Sequence, residues 1–307
     1  MAKINVVNIY GRLEKDPVIV MDKESGEYQF GFCYVDTVRS LRDAGDDLHF
    51  VKHTKPMVLS REKEILDAMS SWKENDMVLI KGVIHTKALK KTSFCEHCKE
   101  KNEVFGNLIT INPIHVLKIK SYGDDKMTAV EDLVNNREIS NQVQIYGTLL
   151  KDPQIFTTKR GLQITQYPIA INRKFTVRTD DPTIKTDYPV VKSYGEQARD
   201  DKTYLKYQSE IIIDGFLQAR TVKRKKKCDS CGKEYLWTDN CMEIVPYAVE
   251  HIKNCRTPEE VEEDFNKKAE EYKQMLYEGK KRDELDEDMT TSEIEKDLKE
   301  NDEKKAS

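Results

Sequence analysis

The chain reads as a mostly β protein: two tandem five-stranded barrels, each with a cysteine-bearing hairpin insert, followed by a charged C-terminal helix and tail. Three observations predict this. A repeat runs through most of the 307 residues, each copy orders its apolar residues as strands around one helix, and each copy holds one Cys-x-x-Cys pair at the same place.

The repeat comes first because it organises everything else. Residues 8–17 read Asn-Ile-Tyr-Gly-Arg-Leu-Glu-Lys-Asp-Pro, and residues 144–153 read Gln-Ile-Tyr-Gly-Thr-Leu-Leu-Lys-Asp-Pro, an offset of 136. Val78–Gly82 matches Ile211–Gly215 at an offset of 133, and Cys95, Cys98 and Pro113 match Cys228, Cys231 and Pro246 at that same offset. A loss of three residues between early and late anchors leaves the two units nearly the same length.

Each unit alternates apolar and polar residues in short runs. Val6–Leu13 and Val143–Leu149 are first strands, closed by Lys-Asp-Pro because proline has no N–H to donate to a sheet. Turns follow at Gly26 and Gly161. In the next strand Tyr28, Phe30, Phe32 and Tyr34 share one face in the first copy, and Leu162, Ile164 and Gln166 share one in the second. That alternation is expected to put at least one or two of the first copy's aromatic rings into the core. Ile65, Leu66, Met69 and Trp72 have helical spacing, with Trp72 expected in the core. Strands over Met77–Thr86 and Glu210–Thr221 follow, then the cysteine-bearing excursion, then a return strand near Leu108–Ile119 or Cys241–Val249. A single helix between the third and fourth strands is the order of an OB-fold barrel. The expected layout is a first barrel over 1–120, a linker over 121–140, a second barrel over 141–256, and an acidic helix and disordered tail over 257–307.

Composition fits small modules better than one large globule, with 38% hydrophobic and 35% charged residues. The net charge of −4 hides an asymmetry. From Thr257 onward there are 19 acidic and 10 basic residues, which leaves 41 basic and 36 acidic residues in the body. A basic body suits a polyanionic partner. The N-terminus has no apolar leader and the longest apolar runs are too short to span a bilayer, so a soluble, cytoplasmic protein without membrane contact is expected. Two of the Cys-x-x-Cys type among seven cysteines indicate metal ligation in a reducing compartment, not disulfides.

These residues resemble the bacterial and phage single-stranded DNA-binding proteins, whose first strand reads roughly hydrophobic-Gly-x-Leu-x-x-Asp-Pro. The pattern occurs at Tyr10–Pro17 and again at Tyr146–Pro153. The second copy continues it with Ile169-Ala170-Ile171-Asn172-Arg173, a strand ending in Tyr194-Gly195, a helix over Glu196–Tyr204, and Ile211–Gly215 with Phe216. The first copy is more diverged, with Phe32-Cys33-Tyr34-Val35-Asp36 where the Asn-Arg run falls. The resemblance covers about 3–120 and 141–222. It implies sequence-independent binding and protection of single-stranded DNA in DNA replication or recombination, in a phage or mobile element, and by analogy a homodimer supplying four barrels. Family members often end in an acidic tip closing on Pro-Phe that recruits replication proteins. Here the acidic tail closes on Lys304-Lys305-Ala306-Ser307, which puts that recruitment route in doubt.

Binding a single strand without reading its sequence requires aromatic faces for the bases and basic groups for the phosphates. The aromatic candidates are Phe30, Tyr34 and Phe50 in the first copy and Tyr167, Phe175 and Tyr188 in the second, each weighed against a place in the barrel core. Basic candidates are Arg39 and Arg42, then Arg173, Lys174 and Arg178 around Phe175. Lys223, Arg224, Lys225, Lys226 and Lys227 open the second insert, and Lys87, Lys90 and Lys91 occupy the corresponding limb of the first. With Phe94, Tyr235 and Trp237 nearby, the inserts read as basic, aromatic arms closing over a strand.

A structural zinc needs four ligands. In one scheme Cys228, Cys231 and Cys241 close a site with Cys255 or His251. In the other, Cys95, Cys98, Cys228 and Cys231 share one zinc across the pseudo-twofold axis, leaving Cys241 unexplained. Cys33, in a strand pattern, is expected to be a buried small apolar residue. Asp16 and Asp152, in their Lys-Asp-Pro turns, are read as structural.

No phosphate-binding glycine loop, zinc-protease helix or nucleophile elbow is present in the sequence, which argues against an enzyme. Two other functions use the same residues: a zinc-stabilised OB scaffold in a replication or transcription complex, and an RNA-binding OB protein, since stacking is indifferent to the sugar.

Overall fold

The computed structural model describes residues 4–40, 51–179, 181 and 183–277. It falls into two compact units, Met1–Cys255 and Arg256–Ser307.

In the first unit the elements run β1 (Asn5–Leu13), β2 (Val18–Met21), β3 (Tyr28–Ser40), β4 (Val51–Thr54), β5 (Met57–Ser60), α1 (Lys63–Ser70), β6 (Asp76–Phe94) and β7 (Lys101–Ser121). Two short helices, α2 (Lys126–Asn135) and α3 (Arg137–Ser140), occupy the predicted linker. The order then repeats as β8 (Asn141–Leu149), β9 (Gln154–Thr157), β10 (Gln163–Asn172), β11 (Thr186–Asp187), β12 (Val190–Tyr194), α4 (Glu196–Tyr204), β13 (Glu210–Lys227) and β14 (Glu234–Lys253). The second unit contributes α5 (Pro258–Tyr277), whose first turn carries Glu259 and Glu260.

Each copy closes as a barrel at equivalent places. β5 runs parallel to β7 through Val58 and Ile111, and β12 runs parallel to β14 through Val191 and Ile244, two pairs 133 residues apart. The Lys-Asp-Pro turns do the same work twice. Asp16 accepts a 2.8 Å hydrogen bond from the Glu74 amide, and Asp152 accepts one of 2.6 Å from the Tyr207 amide, again 133 apart. The next residues, Asn75 and Gln208, both adopt positive φ, of 65° and 66°. Each donates its amide to the end of the first strand, at Leu13 and Leu149.

The copies join edge to edge. β1 pairs antiparallel with β8, placing Val7 opposite Val143, its own counterpart at an offset of 136, so a pseudo-twofold axis passes between them. Among the described residues, fourteen strands form one continuous sheet, and one apolar core runs across the junction through Val7, Ile9, Val143 and Ile145. Gly82 and Gly215 mark the bulges where β6 and β13 cross it. A Cβ at Gly215 would lie 2.3 Å from the Val245 carbonyl, and one at Gly82 2.7 Å from that of Asn112, so only glycine fits.

Each barrel also reaches over to the other. Thr54 Oγ1 accepts from the Ala219 amide at 2.7 Å, and Asp187 Oδ1 accepts from the Thr86 amide at 2.8 Å. Both donor and acceptor pairs are 133 apart, so this exchange obeys the same axis.

The structure extends the predicted fourth and fifth strands. The excursions are continuations of the same ladders, so β6–β7 and β13–β14 are unbroken hairpin arms with cysteines at their tips. The predicted linker is helical, with Ala129 and Leu133 buried and Tyr10 donating to Asp132 at 3.0 Å. Trp72 is buried as expected, and burial pushes the Cys33 thiol up to about 12.

Candidate nucleic-acid interface and thiol cluster

In β3 the inward residues are the small ones. Cys33 and Val35 are buried, and a Cβ on Gly31 would meet Leu66 and Ile19 at 2.5 and 2.7 Å. The rings of Phe30, Phe32 and Tyr34 therefore take the other face, against the expectation that one or two of them enter the core. They form a row: Phe30 and Phe32 stack with centroids 6.5 Å apart, and Phe32 meets Tyr34 edge-on at 6.2 Å. Phe30 and Phe32 are half-buried, whereas Tyr34 is 48% exposed. Neighbouring strands supply Val18 and Val20 on one side and Met57 and Leu59 on the other, as the cross-strand pairs show. The result is a three-stranded face of apolar and aromatic side chains open to solvent. Arg61 caps one end, its guanidinium 5.3 Å from the Phe30 ring centre. Arg178 lines the same shallow groove as Arg61 and is anchored there by its amide, which donates to Glu62.

The second barrel does not repeat this face. Gln166, Pro168 and Ala170 stand where Phe30, Phe32 and Tyr34 stand in the first. Lys192 is buried beside Glu243 at 3.4 Å and lies over the Phe156 ring. Tyr167, an aromatic candidate, is fully buried and donates to Asp201 at 2.9 Å.

Several candidates take other roles. Arg173 is buried with its Nε 2.6 Å from Asp187, which excludes it from phosphate contact without breaking a buried ion pair. Arg39 packs over the Phe216 ring at 4.3 Å and serves the contact between barrels. Lys174 and Phe175 lie side by side on the loop after β10, and Tyr188 is 48% exposed. Arg42 and Phe50 lie outside the described residues.

The arms divide their basic residues by strand parity. Lys91 reaches across to Asp239 at 2.5 Å, Arg224 pairs with the same carboxylate at 2.8 Å, and Lys226 donates to the Glu103 carbonyl. These three brace the arms, in place of the phosphate contact expected of them. Lys223, Lys225 and Lys227 take the opposite parity, are exposed, and carry no ion pair among the described residues. On the other arm the outward set is Lys90, Phe94 and Phe105, the rings being 63% and 80% exposed. Lys90 pairs with Glu103 and lies over Phe105; Lys87 also is exposed on that arm. Trp237, expected to close on a strand, packs against the buried group of Cys95, Cys228 and Tyr235.

At the tips the two knuckles meet. The sulfur atoms of Cys95, Cys98, Cys228 and Cys231 all lie within 4.8 Å of one another. Cys95 is 3.7 Å from Cys231, and Cys98 is 3.6 Å from Cys228. A tetrahedral tetrathiolate with metal–sulfur bonds of about 2.3 Å has edges of about 3.8 Å, so the spacing fits one ion. The turns are equivalent: Lys99 and Gly232 donate to the Cys95 and Cys228 carbonyls at 3.0 Å, each at positive φ. N–H groups face the sulfurs, as His97 N approaches Cys95 at 3.4 Å and Asn102 Nδ2 approaches Cys228 at 3.5 Å.

Four crowded thiols cannot all ionise unaided. The amide of Cys231, then those of Ser230 and Asn102, pull Cys228 down to about 6 against its burial. At Cys98 the Glu100 amide is outweighed by burial and by bonds to the other three thiols, which push it up to about 12. A dication among them supplies the missing counter-charge. Cys241 is not one of the four. It sits in the middle of β14 and its thiol donates to the Arg220 carbonyl at 3.5 Å, because the long strand carries it well away from the tip.

Two OB-type barrels sharing one sheet, with an exposed aromatic row and paired thiol knuckles, define an oligonucleotide-binding-fold protein. Residues 140–232 match the profile of the single-strand binding protein family, and through its second barrel the chain belongs to that family. It is 31% identical over 86 residues to the single-stranded DNA-binding protein 2 of Staphylococcus aureus, covering 28% of this chain and 60% of that one. Against the single-stranded DNA-binding protein A of Bacillus subtilis it is 29% identical over 86 residues, 28% of this chain and 49% of that one. The match thus spans about half to three-fifths of those relatives. In three dimensions the chain is similar to the single-stranded DNA-binding protein of Thermus aquaticus, with a TM-score of 0.54 at 14% identity over 84% of this chain and 96% of that one. That likeness takes in both barrels, although the family profile matches only the second. No described helix is long and apolar enough to cross a membrane.

Proposed function

We propose that this protein binds and protects single-stranded DNA without reading its sequence, in replication or recombination, and acts by binding alone. Two barrel domains, over 1–120 and 141–256, share the work. The observation that carries the reading is the Phe30–Phe32–Tyr34 row, which lies on the OB face flanked by Arg61 and Arg178. Successive rings on one strand offer stacking sites to splayed bases, each worth about 1–3 kcal/mol, while the arginines at its end meet phosphates. The second barrel brings Lys174, Phe175 and Tyr188, and the arms bring Lys87, Lys90, Phe94, Lys223, Lys225 and Lys227. Zinc is the ion assigned to the four thiols, since an all-thiolate set is closed and soft. Its role is structural.

Fluorescence anisotropy with labelled oligo-dT, a matching duplex and a matching RNA, at about 50 and 200 mM salt, tests the reading. Preference for the single DNA strand, weakening with salt, supports it. Absence of binding to all three at micromolar protein rejects it in favour of an interaction scaffold.

A further inference from the structure

The arms run far beyond any core that could hold them. The shared core ends near Ile84 and Ile109 on one arm and Leu217 and Met242 on the other. From Ile84 to Cys95 is 11 residues, a reach of about 36 Å in extended strand. Out at the tips the buried group among the described residues is Cys95, Cys228 and Tyr235, with Trp237 packed on it. Two of those three are metal-ligand candidates. The remaining ties between arms are polar: Lys91 to Asp239, Ser93 to the Tyr235 hydroxyl at 2.6 Å, His97 to the Glu234 carbonyl and Lys226 to that of Glu103. Isolated two-stranded hairpins are marginal in water, and partly exposed ion pairs add little. A metal fills the place of a core in such modules.

The position of the outward lysines depends on that tie. Lys223, Lys225 and Lys227 present one face only while the β13–β14 arm is held against β6–β7, with Arg224 and Lys226 turned inward.

We propose that Cys95, Cys98, Cys228 and Cys231 form a metal-dependent clasp: one thiophilic dication per chain holds the two arms together, and the arms' share of single-strand affinity exists only while it is bound. This rests on the single-strand reading above and adds regulation to it. Whatever strips the ion, a chelator or a thiol oxidant, would loosen the arms while leaving the barrels folded.

The test uses the full chain loaded with zinc, then stripped by a chelator under reductant. Three quantities are read: metal per chain, trypsin cleavage within 87–101 and 223–233, and oligo-dT affinity of the wild type and of Lys223→Ala/Lys225→Ala/Lys227→Ala. The proposal expects one zinc per chain, replaceable by cobalt with a thiolate charge-transfer band. Stripping should open the arms to trypsin without abolishing the barrels' thermal transition. It should weaken oligo-dT binding on the order of tenfold, reversed by zinc. The triple variant should start weaker, with a salt slope lower by about 2, and should lose little more on stripping. Cys98→Ser/Cys231→Ser should behave as the stripped protein does. Arms equally protected with and without metal, metal content far below one per chain, or unchanged affinity on stripping would each overturn the proposal. If the zinc-loaded chain binds no oligo-dT, the single-strand reading falls and takes the affinity half with it, while the cleavage pattern still decides the clasp.

Discussion

Asn5 and Asn141 are equivalent across the pseudo-twofold axis, and each uses both ends of its buried amide on one residue of the neighbouring long strand. Asn5 donates to the Ile84 carbonyl at 3.1 Å and accepts from the Ile84 amide at 2.8 Å. Asn141 does the same with Leu217, at 2.9 Å in both directions. Ile84 and Leu217 are 133 residues apart, so the pair of clamps is one device used twice. Each sits just past the glycine bulge, where the ladder with the first strand has ended and the backbone groups need another partner.

Replacing either asparagine with leucine should therefore strand two buried backbone groups. A loss of about 2–4 kcal/mol per site is expected, read as a lower urea midpoint at unchanged slope. Asn141→Leu should be the worse, because Asn141 also donates to Thr37 Oγ1 at 3.0 Å. Equal stability in the variants would show that water satisfies those groups.

The aromatic row gives the most direct test of the binding face. Tyr34→Ala should weaken oligo-dT by about 1–3 kcal/mol, with little change in thermal midpoint since the ring is half exposed. Gln166→Ala in the second barrel, on the face where the row is missing, should leave affinity nearly unchanged. Comparable losses from both would mean that stacking is not concentrated on the first barrel.

Much of this architecture was legible in the sequence, and what escaped it shares a cause. The repeat, the barrel order and a thiol site shared between copies follow from local spacing, which survives translation into structure. The outward turn of Phe30, Phe32 and Tyr34 did not, because a period of two fixes which residues share a face but leaves open which face is inside. The small set of Gly31, Cys33 and Val35 was the signal: α1 packs close through Leu66 and leaves no room for rings. Arg173 looked free because its partner, Asp187, returns 14 residues later on a different strand. Cys241 looked like a ligand because the length of the arm, set by a ladder of paired residues, cannot be counted from cysteine spacing alone.

Asp36 makes the first barrel sensitive to acid. It is buried against Arg12 at 3.0 Å and His53 at 2.9 Å. Burial alone would raise its carboxyl, but the bond and charge of His53, then those of Arg12, outweigh it and hold the group below the ordinary carboxylate range. A folded pKa below the unfolded one means the stabilisation is complete at neutral pH and is lost as pH falls through and below that range. Asp36→Asn should cost about 3–5 kcal/mol at pH 7, since Arg12 is left buried without its counter-charge, and should flatten the acid limb of stability against pH. An unaltered acid limb in the variant would assign the effect to another carboxylate.

The basic run at 223–227 offers a sharper comparison, because adjacent residues of like charge are predicted to do different things. Lys225 is outward and unpaired among the described residues, opposite Leu236 in the hairpin. Lys226 is turned inward and donates to the Glu103 carbonyl at 2.6 Å and to Asp229 at 3.1 Å. Lys225→Ala should lower the salt slope of oligo-dT binding by about 0.7, the share of one phosphate, and leave arm protection intact. Lys226→Ala should leave the slope unchanged while making the arm easier for protease to cut near its tip. If both variants shift the slope equally, charge density alone governs the arm's contribution, and strand parity has no part in selecting which lysines meet phosphate.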